Sequence, residues 1–186
     1  MICYRHATYR TPLRPALMPD TLGARYHRGS EPEPTQYLCL HPLGPHAEVL
    51  RGHGLREPAQ ARALRLRTWA LDVATDGLVD VAFEDALVAD DVEACRALAD
   101  RLRARGAPGA IVPSAALPGT RNIVLFGPRV AAPYGIRVLG PVDVPASITG
   151  ENGQALVALL DLVRFRGDAH PGAGFVFEEP SWELAA

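Results

Sequence analysis

The amino-acid sequence predicts an α+β fold with small mixed β-sheets and flanking helices. Several short apolar runs have the length of β-strands, and two or three segments have helical periodicity. No internal repeat, low-complexity tract or linker divides the 186 residues, which are enough to enclose one hydrophobic core. We therefore predict a single domain over residues 1–186.

Proline and glycine mark the turns in the first part of the chain. Three prolines exclude a regular helix from residues 11–20, whereas Pro45 suits the first turn of a helix that Gly52 and Gly54 would end. The predicted elements are, in order, a strand in residues 1–9, a loop in residues 11–20, an extended segment in residues 23–27, a strand in residues 36–41 and a helix from Pro45 to about Arg51.

The clearest predicted helix spans residues 90–105, because its apolar side chains recur at helical spacing and Gly106 follows it. Asp90 or Asp91 can cap its first turn. The other predicted elements are strands in residues 68–73, 110–112, 122–126 and 136–139, a helix in residues 151–165 and an irregular tail after Gly167.

Composition limits the classes of partner that we expect. The formal net charge of −2 and the lack of a helix-turn-helix pattern argue against direct nucleic-acid binding. No apolar run approaches 18 residues and no signal peptide opens the chain, so we expect no membrane span. Cys3, Cys39 and Cys95 form no Cys-x-x-Cys pair, which is typical of reduced thiols in a cytoplasmic protein.

The motifs of several common catalytic and nucleotide sites are missing. There is no Gly-x-Ser-x-Gly motif, and a phosphate-binding loop of the Gly-Lys type is excluded because all 19 basic residues are arginine. His41, His46 and His53 lie near Cys39, but no pair has the spacing of metal ligands, so we predict no metal site. Arginine nevertheless supplies a rigid fork of donors that suits phosphate.

A short stretch of the chain concentrates groups that can hold a phosphorylated, positively charged aromatic ligand. Arg25, Tyr26, Tyr37 and Glu48 lie around a turn rich in proline and glycine and a short hydrophobic strand. A guanidinium binds phosphate, an aromatic face attracts a cationic ring, and a carboxylate balances positive charge.

Each of these residues also has an ordinary structural interpretation. Glu48 could be an exposed helix residue paired with Arg51, three positions later. Tyr37 could be a core aromatic and Arg25 a surface residue. Ser114 follows a proline at a predicted strand end, where a turn or cap role is common.

An ordered set of short motifs resembles the RES domain family, which is named for its Arg, Glu and Ser. The motifs are Tyr4-Arg5, Gly23-Ala-Arg25-Tyr26, Tyr37-Leu-Cys-Leu, Ala47-Glu48-Val, Gly109-Ala-Ile-Val-Pro-Ser114-Ala and Asn122-Ile-Val-Leu-Phe. The resemblance covers about residues 3–127, and residues 140–186 contain no motif that we assign. Tyr26 departs from the Trp that is frequent in the family, and Ala24 from a second glycine.

The resemblance implies a fold similar to that of ADP-ribosyltransferases and the activity of a bacterial toxin that consumes NAD⁺. It implies Glu48 at the scissile ribose, Tyr37 stacked on nicotinamide, and Ser114 orienting either nicotinamide or the glutamate. The other implied NAD-binding residues are Arg5 and Arg25, at the phosphates, together with Tyr26 and Asn122.

The resemblance also implies a partner, an antitoxin protein of the Xre type. The acceptor of ADP-ribose stays open at this point: water gives a glycohydrolase, phosphate a phosphorylase, and a protein side chain a mono-ADP-ribosyltransferase. A different class is a binding module that holds NAD⁺ or a partner protein without releasing nicotinamide.

Overall fold

A seven-stranded mixed β-sheet organises the part of the chain that the computed structural model describes, which is residues 1–6, 23–29, 35–64, 66–127, 136–142 and 159–178. The strands are β1 (Ile2–His6), β2 (Thr35–Cys39), β3 (Thr68–Val73), β4 (Val79–Asp80), β5 (Gly109–Pro113), β6 (Arg121–Phe126) and β7 (Ile136–Val142). Their order is β4-β5-β6-β2-β1-β3-β7, and only the pairing of β4 with β5 is parallel. The predicted α+β class is confirmed, with one sheet in these residues in place of several small ones.

Helices lie between the strands. They are α1 (Gly44–His53), α2 (Pro58–Ala63), α3 (Asp85–Val88) and α4 (Glu93–Ala104), and residues 159–162 are also helical. As predicted, α1 has Pro45 in its first turn and is followed by Gly54, whose φ of 64° is left-handed. The helix continues through Gly52 to His53, two residues beyond the predicted end at Arg51. Helices α2 and α3, which have only six and four residues, were not predicted from the sequence.

Two other predicted helix boundaries also differ from the structure. Helix α4 begins at Glu93, whose N–H donates to the Asp91 carboxylate at 3.0 Å, while Asp90 accepts hydrogen bonds from Arg51 and Gly167. The predicted cap at Asp90 is therefore wrong, because this carboxylate is engaged by a buried guanidinium. Of the helix predicted in residues 151–165, residues 159–162 are helical, residues 163–165 are not, and residues 151–158 lie outside the described residues.

Side-chain alternation along the central strands separates two hydrophobic clusters. On one face, Tyr37, Val124 and Phe126 pack with Tyr26 and with the buried side of α4. On the opposite face, Leu38, Ile123 and Leu125 pack with Cys3, Leu71 and Val73. A third cluster holds α1 through Leu43, Ala47 and Leu50 against residues 116–117 and the segment after residue 158. This packing holds α1 against the residues that follow β5 and against the segment after residue 158.

The three cysteines are buried and form no disulfide. Among the described residues, no helix has the length and apolar character needed to cross a membrane.

Candidate functional site

A cavity of about 450 Å³ opens between α1, the turn of residues 23–29 and the adjoining ends of β2, β5 and β6. Five of the seven residues that the sequence analysis assigned to the site line this cavity: Arg25, Tyr26, Tyr37, Glu48 and Asn122. Residues that are up to 97 positions apart in sequence therefore meet at one wall.

Glu48 is fixed by a hydrogen bond from the sheet. It lies in the second turn of α1, and its Oε1 accepts a hydrogen bond from Nδ2 of Asn122 at 2.8 Å. Asn122 sits in β6 opposite Cys39 of β2 and Val112 of β5, so two neighbouring strands hold its backbone. The carboxylate therefore has a defined position at the cavity wall.

Burial raises the pKa of Glu48 above its ordinary value. The hydrogen bond from Asn122, the charges of Arg25 and Arg51, and the nearby Ser114 hydroxyl lower the pKa of Glu48 without cancelling the effect of burial. The site thus holds a carboxylate whose charged form is poorly solvated, which is common at functional sites.

Ser114 lies behind the cavity wall. It follows β5 and is 1% exposed, and its neighbours Pro113 and Ala115 line the cavity. Its Oγ accepts a hydrogen bond from the Leu117 N–H at 3.1 Å, and its hydroxyl lies close enough to Glu48 to lower the pKa of that carboxyl. Of the two roles that the family resemblance implies for Ser114, this geometry favours orienting the glutamate.

A tight turn presents Arg25 and Tyr26. It is closed by a hydrogen bond from the Ala24 N–H to the His27 carbonyl at 2.7 Å. Gly23 has a φ of 67°, and a Cβ there would lie 2.6 Å from the His27 carbonyl oxygen. Only glycine fits this position, which explains the glycine before the arginine.

Arg25 is anchored on one side of its guanidinium. Its Nη1 donates to the carbonyls of Leu87 at 3.2 Å and Ala89 at 2.8 Å. Within the described chain, its Nε and Nη2 make no hydrogen bond, and the residue lines the cavity. Arg25 can therefore offer two donors to a ligand without losing its support.

The two tyrosines have different environments. Tyr26 is 3% exposed and packs in the cluster around Cys95, where burial raises the pKa of its hydroxyl. Tyr37 is half-buried, and its hydroxyl oxygen accepts the Tyr26 N–H at 3.1 Å. Tyr37 is thus the aromatic side chain that the cavity can use, while Tyr26 mainly supports the wall.

Arg5 lies on the other face of the sheet. Tyr4 is opposite Cys39, which lines the cavity, and strand alternation turns Arg5 to the face of Cys3 and Leu71. Arg5 is accordingly missing from the described residues that line the cavity. The structure does not place Arg5 with the other six predicted site residues.

The structure adds four charged residues to the cavity wall that the sequence analysis did not assign: Arg51, Asp90, Arg96 and Arg166. Arg51 was considered only as a surface partner of Glu48, but it is 5% exposed and pairs with Asp90 at 2.6 Å. Arg96 donates from Nε to the Ala24 carbonyl at 3.2 Å. No sequence pattern distinguished Arg96 or Arg166 from the other arginines of the chain.

The cavity is electrostatically positive. Among the described lining residues, the four arginines Arg25, Arg51, Arg96 and Arg166 outnumber the two carboxylates. Burial acts against ionisation of Asp90, but the Gly167 N–H and Arg51 lower the pKa of Asp90 to about 2, so it stays charged. Burial raises the pKa of the Cys39 thiol, which keeps it neutral. Such a cavity suits an anionic ligand.

In the described residues, no group of three His, Cys, Asp or Glu side chains is placed to hold a metal ion. The donors at the cavity are instead guanidinium and amide groups, which suit phosphate and carbonyl oxygens.

Comparisons with known proteins identify a matching family model and a solved structure with a similar fold. The family model described as the RES domain matches residues 2–144. The crystal structure of the M. tuberculosis MbcT–MbcA toxin–antitoxin complex contains a similar chain, with a TM-score of 0.62 and 21% sequence identity. The alignment covers 84% of this chain and 88% of that chain, which confirms the predicted fold class. A search of curated proteins gave no match.

Proposed function

Because the chain belongs to the RES domain family, we propose that it is the toxin of a toxin–antitoxin pair and consumes NAD⁺ by cleaving the bond between nicotinamide and ribose. The observation that carries the proposal is the fixed Glu48 carboxylate in a cavity lined by arginines. The structural likeness to a chain of a toxin–antitoxin complex supports the same assignment.

Glu48 is the proposed catalytic carboxylate. Cleavage of the nicotinamide–ribose bond develops positive charge on the sugar, and a nearby carboxylate stabilises that charge more than it stabilises the neutral ribose. The hydrogen bond from Asn122 holds the carboxylate in place before the ligand arrives, so the reaction needs little reorganisation.

Arg25 and Arg96 are the proposed ligands of the pyrophosphate. Arg96 is anchored through Nε on the carbonyl of Ala24, next to Arg25 in sequence, so both side chains belong to one corner of the cavity. Each keeps guanidinium donors that make no hydrogen bond in the described chain. This pair takes the phosphate-binding role that the family resemblance gave to Arg5 and Arg25.

Tyr37 and Asn122 are the proposed contacts of the nicotinamide and its ribose. An aromatic face next to a cationic pyridinium contributes about 0.5–2 kcal/mol. Asn122 lines the cavity and holds Glu48 in place, so it supports the ribose end of the site.

The acceptor of ADP-ribose defines the reaction class. We propose water or inorganic phosphate, with a mono-ADP-ribosyltransferase that modifies a protein as the alternative. The three reactions share the donor site, so purified protein should be incubated with labelled NAD⁺ alone, with phosphate and with cell lysate. Free ADP-ribose, ADP-ribose 1″-phosphate or labelled protein then identifies the acceptor, and labelled NAD⁺ left intact in all three mixtures would contradict the proposal.

The proposed partner is an antitoxin protein, of the Xre type that the family resemblance implies. Expression of the chain alone should stop growth and deplete cellular NAD⁺, and co-expression with the protein encoded beside it should restore both. A non-enzymatic binding module expressed alone would neither stop growth nor deplete cellular NAD⁺.

A further inference from the structure

The end of α3 and the residues that follow it hold arginines from two distant parts of the chain. The carbonyls of Leu87 and Ala89 accept hydrogen bonds from Arg25, at 3.2 and 2.8 Å. The carbonyl between them, that of Val88, accepts a hydrogen bond from Nη1 of Arg164 at 2.8 Å. Successive carbonyls at the end of α3 thus support one guanidinium that lines the cavity and one that does not.

Asp90, the next residue, receives the largest set of these interactions. Its Oδ1 accepts from Nη2 of Arg51 at 2.6 Å and from Nη1 of Arg164 at 3.3 Å. Its Oδ2 accepts the Gly167 N–H at 2.6 Å. One carboxylate therefore connects α1, the α3–α4 connection and the segment after residue 162.

Arg51 depends on these contacts. Its guanidinium is only 5% exposed, and its Nη1 donates to the carbonyl of Arg164 at 3.0 Å. A buried cation without a partner is costly, so Arg51 remains at the cavity wall because Asp90 and Arg164 hold it there. Glu48 is one helical turn away on α1.

The segment held by Asp90 lies beyond the part of the chain that the family model matches, which ends at residue 144. Arg164 and Gly167 make the contacts, and Arg166 between them lines the cavity. The segment therefore supports Asp90 and Arg51 through its hydrogen bonds, and it contributes the guanidinium of Arg166 to the cavity wall.

We propose that Asp90 is a positioning residue, which locks Arg51 and residues 164–167 against the cavity so that the guanidinium groups of Arg51 and Arg166 join those of Arg25 and Arg96 at the phosphates of the ligand. The inference deepens the proposed function, because it rests on a ligand that carries a pyrophosphate. Asp90 touches neither the reacting bond nor its atoms.

The direction in which removal of Asp90 changes the affinity for the ligand distinguishes a positioning role from a purely electrostatic one. As a charge alone, Asp90 repels an anionic ligand, and its removal would tighten binding. As a positioning residue, it restrains the side chain of Arg51, and its removal makes the ligand order that side chain, at a cost that corresponds to about three- to tenfold in affinity.

The test compares three variants of the full chain by calorimetric binding of ADP-ribose and of inorganic pyrophosphate. Asp90→Ala removes the carboxylate, and Asp90→Asn keeps its shape and one acceptor in case the alanine variant does not fold. Asp168→Asn is the matched control, because Asp168 ties the same segment through Arg56 and the Phe165 N–H but does not line the cavity.

We expect about three- to tenfold weaker binding of both anions by Asp90→Ala, a smaller loss by Asp90→Asn, and binding within about twofold of wild type by Asp168→Asn. Unchanged or tighter binding by the folded Asp90 variants would overturn the proposal, and so would an equal loss in Asp168→Asn. Wild-type protein that binds both anions but releases no nicotinamide would refute the proposed function while leaving the Asp90 comparison decisive. Wild-type protein that binds neither anion would overturn both.

Discussion

Asn122 donates a hydrogen bond from Nδ2 to Oε1 of Glu48 at 2.8 Å, and this contact joins β6 to α1 at the cavity wall. The two residues are 74 positions apart in the chain. Burial raises the pKa of the Glu48 carboxylate, and the contact holds that carboxylate at the cavity wall, within reach of a ligand. The same hydrogen bond favours the charged form and so offsets part of the effect of burial. The following predictions test this arrangement and the residues around it.

Asn122→Ala should lower kcat by about tenfold or more and leave the overall fold intact. The substitution removes the donor that holds Glu48, and a preorganised hydrogen bond of this kind typically contributes one or more orders of magnitude. It should also raise the pKa of Glu48 further, because the lost hydrogen bond favours the charged form. Steady-state kinetics across pH measure both effects. A variant with wild-type kcat at every pH would remove Asn122 from this role.

Activity should fall as pH decreases through the raised pKa of Glu48, because only the ionised carboxylate stabilises the developing cation. The midpoint of the acidic limb of kcat/KM, which reports ionisations of the ligand-free protein, should lie above the ordinary pKa of a glutamate. Glu48→Asp is unsuitable as a control because it shortens the reach to Asn122, so the wild-type profile is compared with that of Asn122→Ala. An acidic limb at or below the ordinary glutamate value would contradict the burial argument.

Glu48→Gln should raise the thermal unfolding temperature at neutral pH. A carboxylate whose folded-state pKa is raised stabilises the fold below its unfolded pKa, and that stability is lost as pH rises through the folded pKa. Glutamine carries no charge to desolvate, so the variant escapes this loss. The difference in unfolding temperature should shrink on acidification, as measured by calorimetry at several pH values. A variant less stable than wild type at neutral pH would show that the charge is better compensated than the structure indicates.

Gly44→Ala should destabilise the protein by about 1–3 kcal/mol, because the new Cβ would lie 2.5 Å from Cβ of Cys39. Gly52→Ala is the matched control in the same helix, since nothing lies within 4 Å of its Cβ position. It should stabilise by up to about 1 kcal/mol through helix propensity. Chemical denaturation of both variants gives the two signs, and equal effects would refute the close approach of α1 to β2.

Arg25→Ala should raise KM for NAD⁺ by about tenfold or more, because it removes charge-assisted hydrogen bonds to phosphate. Arg5→Ala should leave KM within about twofold, since Arg5 lies on the opposite face of the sheet, although its loss can lower stability. Kinetics on the two folded variants separate the structural assignment from the one that the family resemblance implied. A large increase of KM in Arg5→Ala alone would reverse it.

Local patterns predicted most of the fold. The strand in residues 68–73 was predicted with its observed bounds, and α4 within three residues at its start and one at its end. Helices α2 and α3 were missed because six and four residues are too few to show helical periodicity. The prediction of one domain over residues 1–186 stays a prediction.

The sequence motifs identified the site residues that have distinctive neighbours in sequence. Examples are Glu48, which follows a turn of proline and glycine, and Arg25, which follows Gly23. Arg5 was grouped with them because motif order carries no information about which face of a strand a side chain occupies. Arg96 and Arg166 reach the cavity through tertiary contacts, and in a chain with 19 arginines their local sequence gives no signal.

The most direct test of the proposed mechanism is the rate of nicotinamide release from NAD⁺ by wild-type protein and by Glu48→Gln. Glutamine keeps an oxygen that accepts the Asn122 hydrogen bond, so the variant should fold and bind ADP-ribose. We predict release by the wild type and a rate at least about a hundredfold lower in Glu48→Gln. Equal rates in the two proteins would show that Glu48 is not the catalytic carboxylate.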